Sequence, residues 1–336
     1  MNEQQTPKIE DVLFPVELLE ICYRKNGRPR QRELFEGKEN SPAQKHADGI
    51  AIPGYRAVVD LERNHVFSVV SKDYRLVTNG EAVEMGRHCF KSIFSVATMN
   101  SMDLYNIIMP FSRSFCHVDF MARTRGFEPW DGDTWAPFLR VTNSYNRTKM
   151  LGFDLGFCRW ICRNGMIFGK KSITFQYPHT HDRVPREAVF QATFGDLKDL
   201  EKDFLDKLRR LKRSSIPKEV MLALACRVFG VRIEDKDLTA PKRMQKLRDF
   251  HAQIQALTAG YFTEFGANAY AAVNVITDYA SRPSLPISPA AAINGLQQRS
   301  GEWMDDYLNK IEDNDFSLSN YLGDYSGMAE KLRNAV

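Results

Sequence analysis

The feature that most constrains the fold is a change of pattern near residue 185. From 54 to about 180 the chain has short apolar or alternating runs separated by Gly, Asn, Asp and Pro clusters, which is typical of strands. From 186 to 330 apolar residues recur at steps of three and four, which is typical of amphipathic helices. The sequence therefore predicts an α+β fold, with a mostly antiparallel mixed sheet, flanking helices and a helical C-terminal half.

The 336 residues divide into three predicted regions. Residues 1–48 are expected to form an N-terminal helix, over Val12 to Tyr23, followed by an exposed loop. Residues 49–185 form the sheet-rich region, and residues 186–336 form the helical region with an acidic tail. At roughly 150 residues per domain, this length allows one large domain or two modest ones.

Local signals predict where individual elements begin and end. Thr78 and Asn79 are expected to cap a helix that runs from about Gly80 to Phe94. The pair Asn164-Gly165 stands between two apolar runs and predicts a hairpin turn, because both central residues of a type I′ turn need positive φ. Ser288 and Pro289 predict the start of another helix.

Composition points to a cytoplasmic protein. The six cysteines are too dispersed for a secreted disulfide scaffold. The polar N-terminus lacks the apolar core of a signal peptide, and no run of 18 apolar residues suggests a membrane span. We therefore expect no membrane association.

Charge is distributed unevenly along the chain. Between 140 and 186 nine basic residues face two acidic ones, a balance of +7, and aromatic residues are interleaved with them. The segment 207–218 contains six basic residues and no acidic one, whereas 301–336 contains eight acidic and three basic residues. Cations neutralise phosphates and aromatic rings stack on bases, so this pattern suits single-stranded nucleic acid.

The predicted nucleic-acid site follows from these segments. Tyr145 or Trp160 is expected to stack on bases, and the segment 207–218 would widen the basic surface. The competing interpretation is that the strand aromatics are core residues and that the basic helix face is merely solvated. The predicted phosphate contacts are Arg140, Arg147, Lys149, Arg159, Arg163, Lys170, Lys171, Arg209, Arg210 and Arg213.

Motifs for cofactors and metals are weak. No Gly-rich phosphate loop occurs, and we predict no cofactor. His179 and His181 would share one face of an extended segment, but no further pair of ligands is visible, so a polar loop is the better interpretation and no metal is predicted. Asp131 and Asp133 flank a glycine, a pattern that suits a divalent ion but is also common in loops.

Two other functions stay open beside nucleic-acid binding. A protein-binding effector that acts on a host defence or replication protein would need an exposed apolar patch. A metal-dependent nuclease would use carboxylates such as Asp131, Asp133 or Asp154. Whether the protein is an enzyme is left undecided, and a homo-oligomer is compatible with the first hypothesis.

Four sequence strings point to a known family. They are VVSKDYRLVTNGEA at 69–82, RVTNSY at 140–145, CRWICRNGM at 158–166, and Asn268 with AVNVITDY at 272–279. Their order and spacing resemble the phage/plasmid-like family called domain of unknown function 932, over roughly 50–285.

The resemblance implies a gene carried by a phage, prophage or plasmid, and it implies no settled activity. Mobile elements often encode their own nucleic-acid-handling proteins, so this context favours the first hypothesis by association. The family motifs map onto Tyr74, Asn79, Asn143, Arg159, Cys162, Asn164 and Asn274.

Overall fold

The computed structural model describes residues 8–23, 50–94, 102–160, 164–167, 174–177, 197–284 and 292–336. The fold is α+β, as predicted, with two antiparallel sheets and a helical C-terminal half. The chain divides into two compact units. The first comprises Met1–Met121, Leu139–Asp154 and Thr174–Thr193, and the second comprises Ala122–Phe138, Leu155–Ile173 and Phe194–Val336.

A three-stranded sheet belongs to the first unit. Its strands β1 (Val16–Tyr23), β2 (Ile50–Asp60) and β3 (His65–Ser71) pair antiparallel in sequence order. The predicted helix over Val12 to Tyr23 is therefore wrong, because most of that segment is β1. The missed signal is the alternation of buried and exposed side chains just before the strand. Val12, Phe14 and Val16 are buried, whereas Leu13 between them is 47% exposed.

Helix α1 (Asn79–Phe94) begins where the sequence predicts it. The Thr78 amide donates to the Glu81 carboxylate at 2.8 Å, and the Glu81 amide donates to Thr78 Oγ1 at 3.2 Å. This reciprocal pair satisfies two amides that the first helical turn leaves without partners.

A second sheet has the strand order β4-β5-β6-β7-β8, and β9 also pairs with β7. Strands β6 and β7 contribute residues to both units. The strands are β4 (Met102–Ile108), β5 (Phe115–Ala122), β6 (Trp135–Ser144), β7 (Leu151–Arg159), β8 (Asn164–Ile167) and β9 (Thr174–Tyr177).

The β7–β8 hairpin is present, but its turn is not at Asn164-Gly165. Both residues are strand residues, paired with Arg159 and Cys158 respectively. Close packing is the better explanation for the glycine, since a Cβ atom on Gly165 would lie 3.0 Å from Gln297 Nε2. The glycine at position 165 therefore reflects close packing against Gln297 and not a turn.

Eight helices follow in the described part of the second unit. Helix α6 is their centre, because every residue from Ala269 to Ala280 is buried, and it packs on α2, α5, α7 and β8. Within the described residues, no helix is both long and apolar enough to cross a lipid bilayer. Ser288 and Pro289 lie outside the described residues. The helices are α2 (Leu197–Arg213), α3 (Met221–Phe229), α4 (Asp235–Thr239), α5 (Pro241–Phe265), α6 (Ala269–Ser281), α7 (Ile293–Lys310), α8 (Leu318–Leu322) and α9 (Asp324–Ala335).

Candidate functional site

Arg140 in β6 is an interior residue of the first unit. Its guanidinium has no solvent exposure and donates two hydrogen bonds of 2.6 Å to Asp119 in β5. Burial would lower the pKa of Arg140, but the charge and hydrogen bonds of Asp119 outweigh that effect and raise it. The prediction that Arg140 contacts phosphate does not fit this burial, since the charge is already paired.

His117 lies beside this ion pair. Residues 117 and 119 share one face of β5, as residues 140 and 142 share one face of β6. His117 Nδ1 is 2.8 Å from Thr142 Oγ1, while its Nε2 has no partner within the described chain. Burial, together with the charges of Arg140 and Lys149, holds the pKa of His117 well below its usual value. The imidazole is therefore neutral at pH 7.

Tyr145 is the second interior residue among those predicted to bind nucleic acid. It is fully buried, and its hydroxyl accepts a 2.8 Å hydrogen bond from the Asn79 amide at the start of α1. Asn143 Nδ2 donates to Asn79 Oδ1 at 2.9 Å, and Asn79 Nδ2 donates to the Val12 carbonyl at 3.0 Å. These residues anchor the start of the helix. Tyr145 is therefore not placed to stack on a base.

Two predicted cations of the first unit lie nearer the surface. Arg147 is exposed in the turn between β6 and β7 and adopts a left-handed φ of 63°. Lys149 is half-buried, and its ammonium lies 5.4 Å from the centre of the Phe115 ring. Burial, and then the charge of Arg140, lowers the pKa of Lys149.

Arg159 organises a buried cluster in the second unit. It donates to Asp133 Oδ1 at 2.5 Å and to Glu264 at 2.7 Å, and its guanidinium lies 4.6 Å from the Phe265 ring centre. The Tyr270 hydroxyl donates to the other oxygen of Asp133. Both carboxylate oxygens of Asp133 are therefore engaged inside the protein, so Arg159 is not available to phosphate and Asp133 is not available to a metal.

Lys212 of α2 is held by aromatic rings next to this cluster. Its ammonium lies 5.4, 5.1 and 5.8 Å from the ring centres of Trp130, Phe265 and Tyr270, and it donates to the Phe265 carbonyl at 2.9 Å. Desolvation lowers the pKa of this lysine. In this part of the protein, a basic residue therefore forms cation–π contacts with aromatic residues of the chain itself.

Trp160 is the predicted aromatic residue that reaches solvent. It is 37% exposed, and the Arg123 guanidinium lies 5.5 Å from its ring centre. Arg123 belongs to a single 3-10 turn, Arg123–Arg125, which follows β5. Our charge count over 140–186 missed it, and the run Arg-Thr-Arg after an apolar strand was the available signal.

The predicted cations of α2 differ in their surroundings. Arg210 donates to the Leu308 carbonyl at 2.8 Å and to Glu312 at 2.5 Å. Arg209 is half-exposed and lies 3.6 Å from Asp206, while Arg213 is exposed. The basic segment 207–218 is therefore neutralised in part by acids of its own helix and of the C-terminal region.

Several predicted residues lie outside the described residues: Arg163, Lys170, Lys171, His179 and His181. In the part of the chain that the structure describes, no three His, Cys, Asp or Glu side chains are grouped to hold a metal ion. In the described part of the second unit, Trp160 and Arg123 form a pairing of ring and cation in which both residues are exposed.

Comparison with known proteins identifies a family. The family described as domain of unknown function (DUF932) matches residues 66–306, which is more than half of the chain. No curated protein and no solved structure matches. The matched span contains the buried polar residues Asn79, Asn143 and Arg159, whose contacts are given above. The chain therefore belongs to the DUF932 family, as its four sequence strings indicated.

Proposed function

We propose that this protein binds single-stranded nucleic acid, with Trp160 as the stacking surface and Arg123 as a phosphate contact. The observation that carries the proposal is the exposed indole with a guanidinium 5.5 Å from its ring centre. Base–aromatic stacking contributes about 1–3 kcal/mol per base and tolerates any sequence. The proposed interface thus keeps Trp160 from the sequence-based prediction but replaces Arg140, Tyr145 and Arg159.

The same proposal includes the setting that the family resemblance implies. A single-strand binding or annealing factor of a phage, prophage or plasmid would act in the cytoplasm and would cover a strand as a homo-oligomer. Arg213 is a further candidate for phosphate contact in the same unit as Trp160, and Arg147 is a separate exposed candidate in the first unit. Each would add to the salt dependence of binding, because phosphate neutralisation releases counterions.

The test is a fluorescence anisotropy titration of a labelled oligothymidylate at low and high salt. We expect Trp160→Ala to weaken binding about tenfold at low salt, and Trp160→Phe to retain most of the affinity. Arg123→Ala should also lower the salt slope by roughly 0.7, which is the value for one phosphate contact on a single strand.

Lys236→Ala is the matched control for the charge change, since Lys236 is an exposed cation on α4, paired with Glu234. A wild-type protein that fails to bind the oligonucleotide at low salt would exclude this function. Equal losses in Arg123→Ala and Lys236→Ala would exclude the site.

A specific observation also favours the protein-binding alternative. Phe111, between β4 and β5 in the first unit, is 92% exposed. Arg63 donates to its carbonyl at 2.6 Å, and the guanidinium lies 5.1 Å from the ring centre. The ring borders a cavity of about 460 Å³ that also contains Phe14 and Arg113. An exposed aromatic residue beside a cavity is a typical anchor for a partner protein.

This alternative predicts capture of a host protein that survives nuclease treatment. Phe111→Ser should abolish the capture. Tyr55→Ser is the control, because Tyr55 is an exposed aromatic residue of the same unit on β2. Capture that disappears with nuclease would instead support nucleic-acid binding.

A further inference from the structure

A second cavity, of about 460 Å³, lies within the helical part of the second unit. It is bordered by the 3-10 turn Lys218–Val220, the start of α3, helix α5 and helix α9. Its apolar wall consists of Met221, Leu222, Ile254 and Ala259. Small-ligand sites in proteins have volumes of about 300–1,000 Å³ and mostly apolar walls, so the size and the lining suit a small organic molecule.

Two buried polar residues line this cavity, His251 and Thr258, and the Thr258 hydroxyl already donates to the Ile254 carbonyl at 2.7 Å. His251 of α5 is only 7% exposed, and its ring lines the cavity, where its nitrogens still reach solvent. Burial, and then the charge of Arg333, lowers the pKa of His251. A neutral imidazole presents one donor and one acceptor. A carboxylate in the cavity would accept a hydrogen bond from this ring in place of water.

The charge around the cavity is positive. Lys218 and Arg333 are set against the single acid Glu219. Arg333 Nη2 donates to the Glu219 carbonyl at 2.5 Å, which holds the guanidinium beside the cavity while leaving its other donors for a ligand. A cationic ligand would be repelled here. A wholly apolar ligand would deprive Arg333 and His251 of water without replacing its hydrogen bonds.

We propose that this cavity binds a small organic acid, with its apolar body against Met221 and Ile254 and its carboxylate at Arg333 and His251. This site belongs to one unit and is independent of nucleic-acid binding at Trp160. Charge-assisted hydrogen bonds from a guanidinium suit a carboxylate, and the apolar wall requires a hydrocarbon body next to it.

The probe is octanoate, followed by isothermal titration calorimetry with the full chain. Octan-1-ol carries the same hydrocarbon body without the charge, and acetate carries the charge without the body. We expect octanoate to bind at least about tenfold more tightly than either compound, because only octanoate satisfies both halves of the site. Absence of octanoate binding, or equal binding of octanol, would overturn the proposal.

Three variants locate the site. Arg333→Gln should weaken octanoate binding about tenfold or more, through loss of the charge-assisted hydrogen bond. Lys331→Gln is the matched control, since Lys331 is an exposed cation on the same helix, bonded to Asp235 outside the cavity. Ala259→Trp, at an exposed wall position, should fill the cavity and abolish binding without loss of thermal stability. Octanoate binding that is unchanged in Arg333→Gln and Ala259→Trp would contradict the assignment.

Discussion

The Arg140 guanidinium forms a bidentate ion pair with the Asp119 carboxylate, in which Nε donates to Oδ1 and Nη2 donates to Oδ2, each at 2.6 Å. Both side chains are buried. Removal of one member of such a pair leaves the other charge buried and uncompensated. We expect Arg140→Ala and Asp119→Ala each to lower the free energy of unfolding by about 3–5 kcal/mol in urea denaturation.

The double variant Arg140→Met with Asp119→Leu should lose less stability than either alanine variant, because no buried charge remains. The exposed pair Arg209–Asp206 is the control, and Arg209→Ala should change stability by less than about 1 kcal/mol. A loss of less than about 1 kcal/mol in Arg140→Ala would show that this pair does not stabilise the interior.

Substitution of Arg159 distinguishes a role in stability from a role in nucleic-acid binding. Arg159→Gln should destabilise the second unit by a few kcal/mol, because Asp133 would keep its buried charge with only Tyr270 bonded to it. Its affinity for an oligonucleotide, measured by anisotropy below the melting temperature, should stay within about twofold of wild type. A large loss of affinity with intact stability would instead make Arg159 a phosphate contact.

His117 makes stability depend on pH. Its pKa is lowered in the folded protein, so the unfolded chain binds the proton more tightly. The stabilising contribution is therefore complete above about pH 6.5 and is lost as the pH falls through the lowered folded pKa. We expect the free energy of unfolding to decrease by up to about 1.4 kcal/mol per pH unit from this residue between about pH 6.5 and pH 5.

The measurement is urea denaturation across that range for wild type and His117→Gln. The glutamine variant, which does not titrate, should show a smaller slope. His65→Gln, at an exposed position of β3, is the matched control for the substitution. Identical slopes in all three proteins would exclude His117 as the titrating group.

Two helical glycines should respond in opposite directions to alanine. A Cβ atom on Gly86 of α1 would overlap Val141 Cγ2 and lie 3.7 Å from Phe120 Cε2, whereas nothing lies within 4 Å of one on Gly260 of α5. We expect Gly86→Ala to cost about 1–3 kcal/mol despite the better helix propensity of alanine. Gly260→Ala should gain about 0.5–1 kcal/mol, and thermal melting distinguishes the two. Stabilisation by both substitutions would mean that α1 does not pack this closely on the sheet.

Periodicity and capping patterns were sufficient for most of the fold. The α1 cap at Thr78 and Glu81, and the apolar residues at steps of three and four in α2, reflect contacts between residues three or four apart, so these signals are local. The segment at Val16–Tyr23 was misread because a short strand and a short helix share apolar patterns, and its partner β2 begins 27 residues after β1 ends. Long-range pairing decided that element.

The sequence alone determined the class of fold, the family and the presence of cations among aromatic residues. It did not determine which of those cations and aromatic rings reach solvent. Arg140 and Trp160 lie in similar strand-rich sequence, yet the Arg140 side chain is enclosed beside Asp119 and the Trp160 side chain is exposed beside Arg123. Only the tertiary structure decided this, because burial and charge pairing depend on residues from distant parts of the chain, and composition counts charges without regard to their partners.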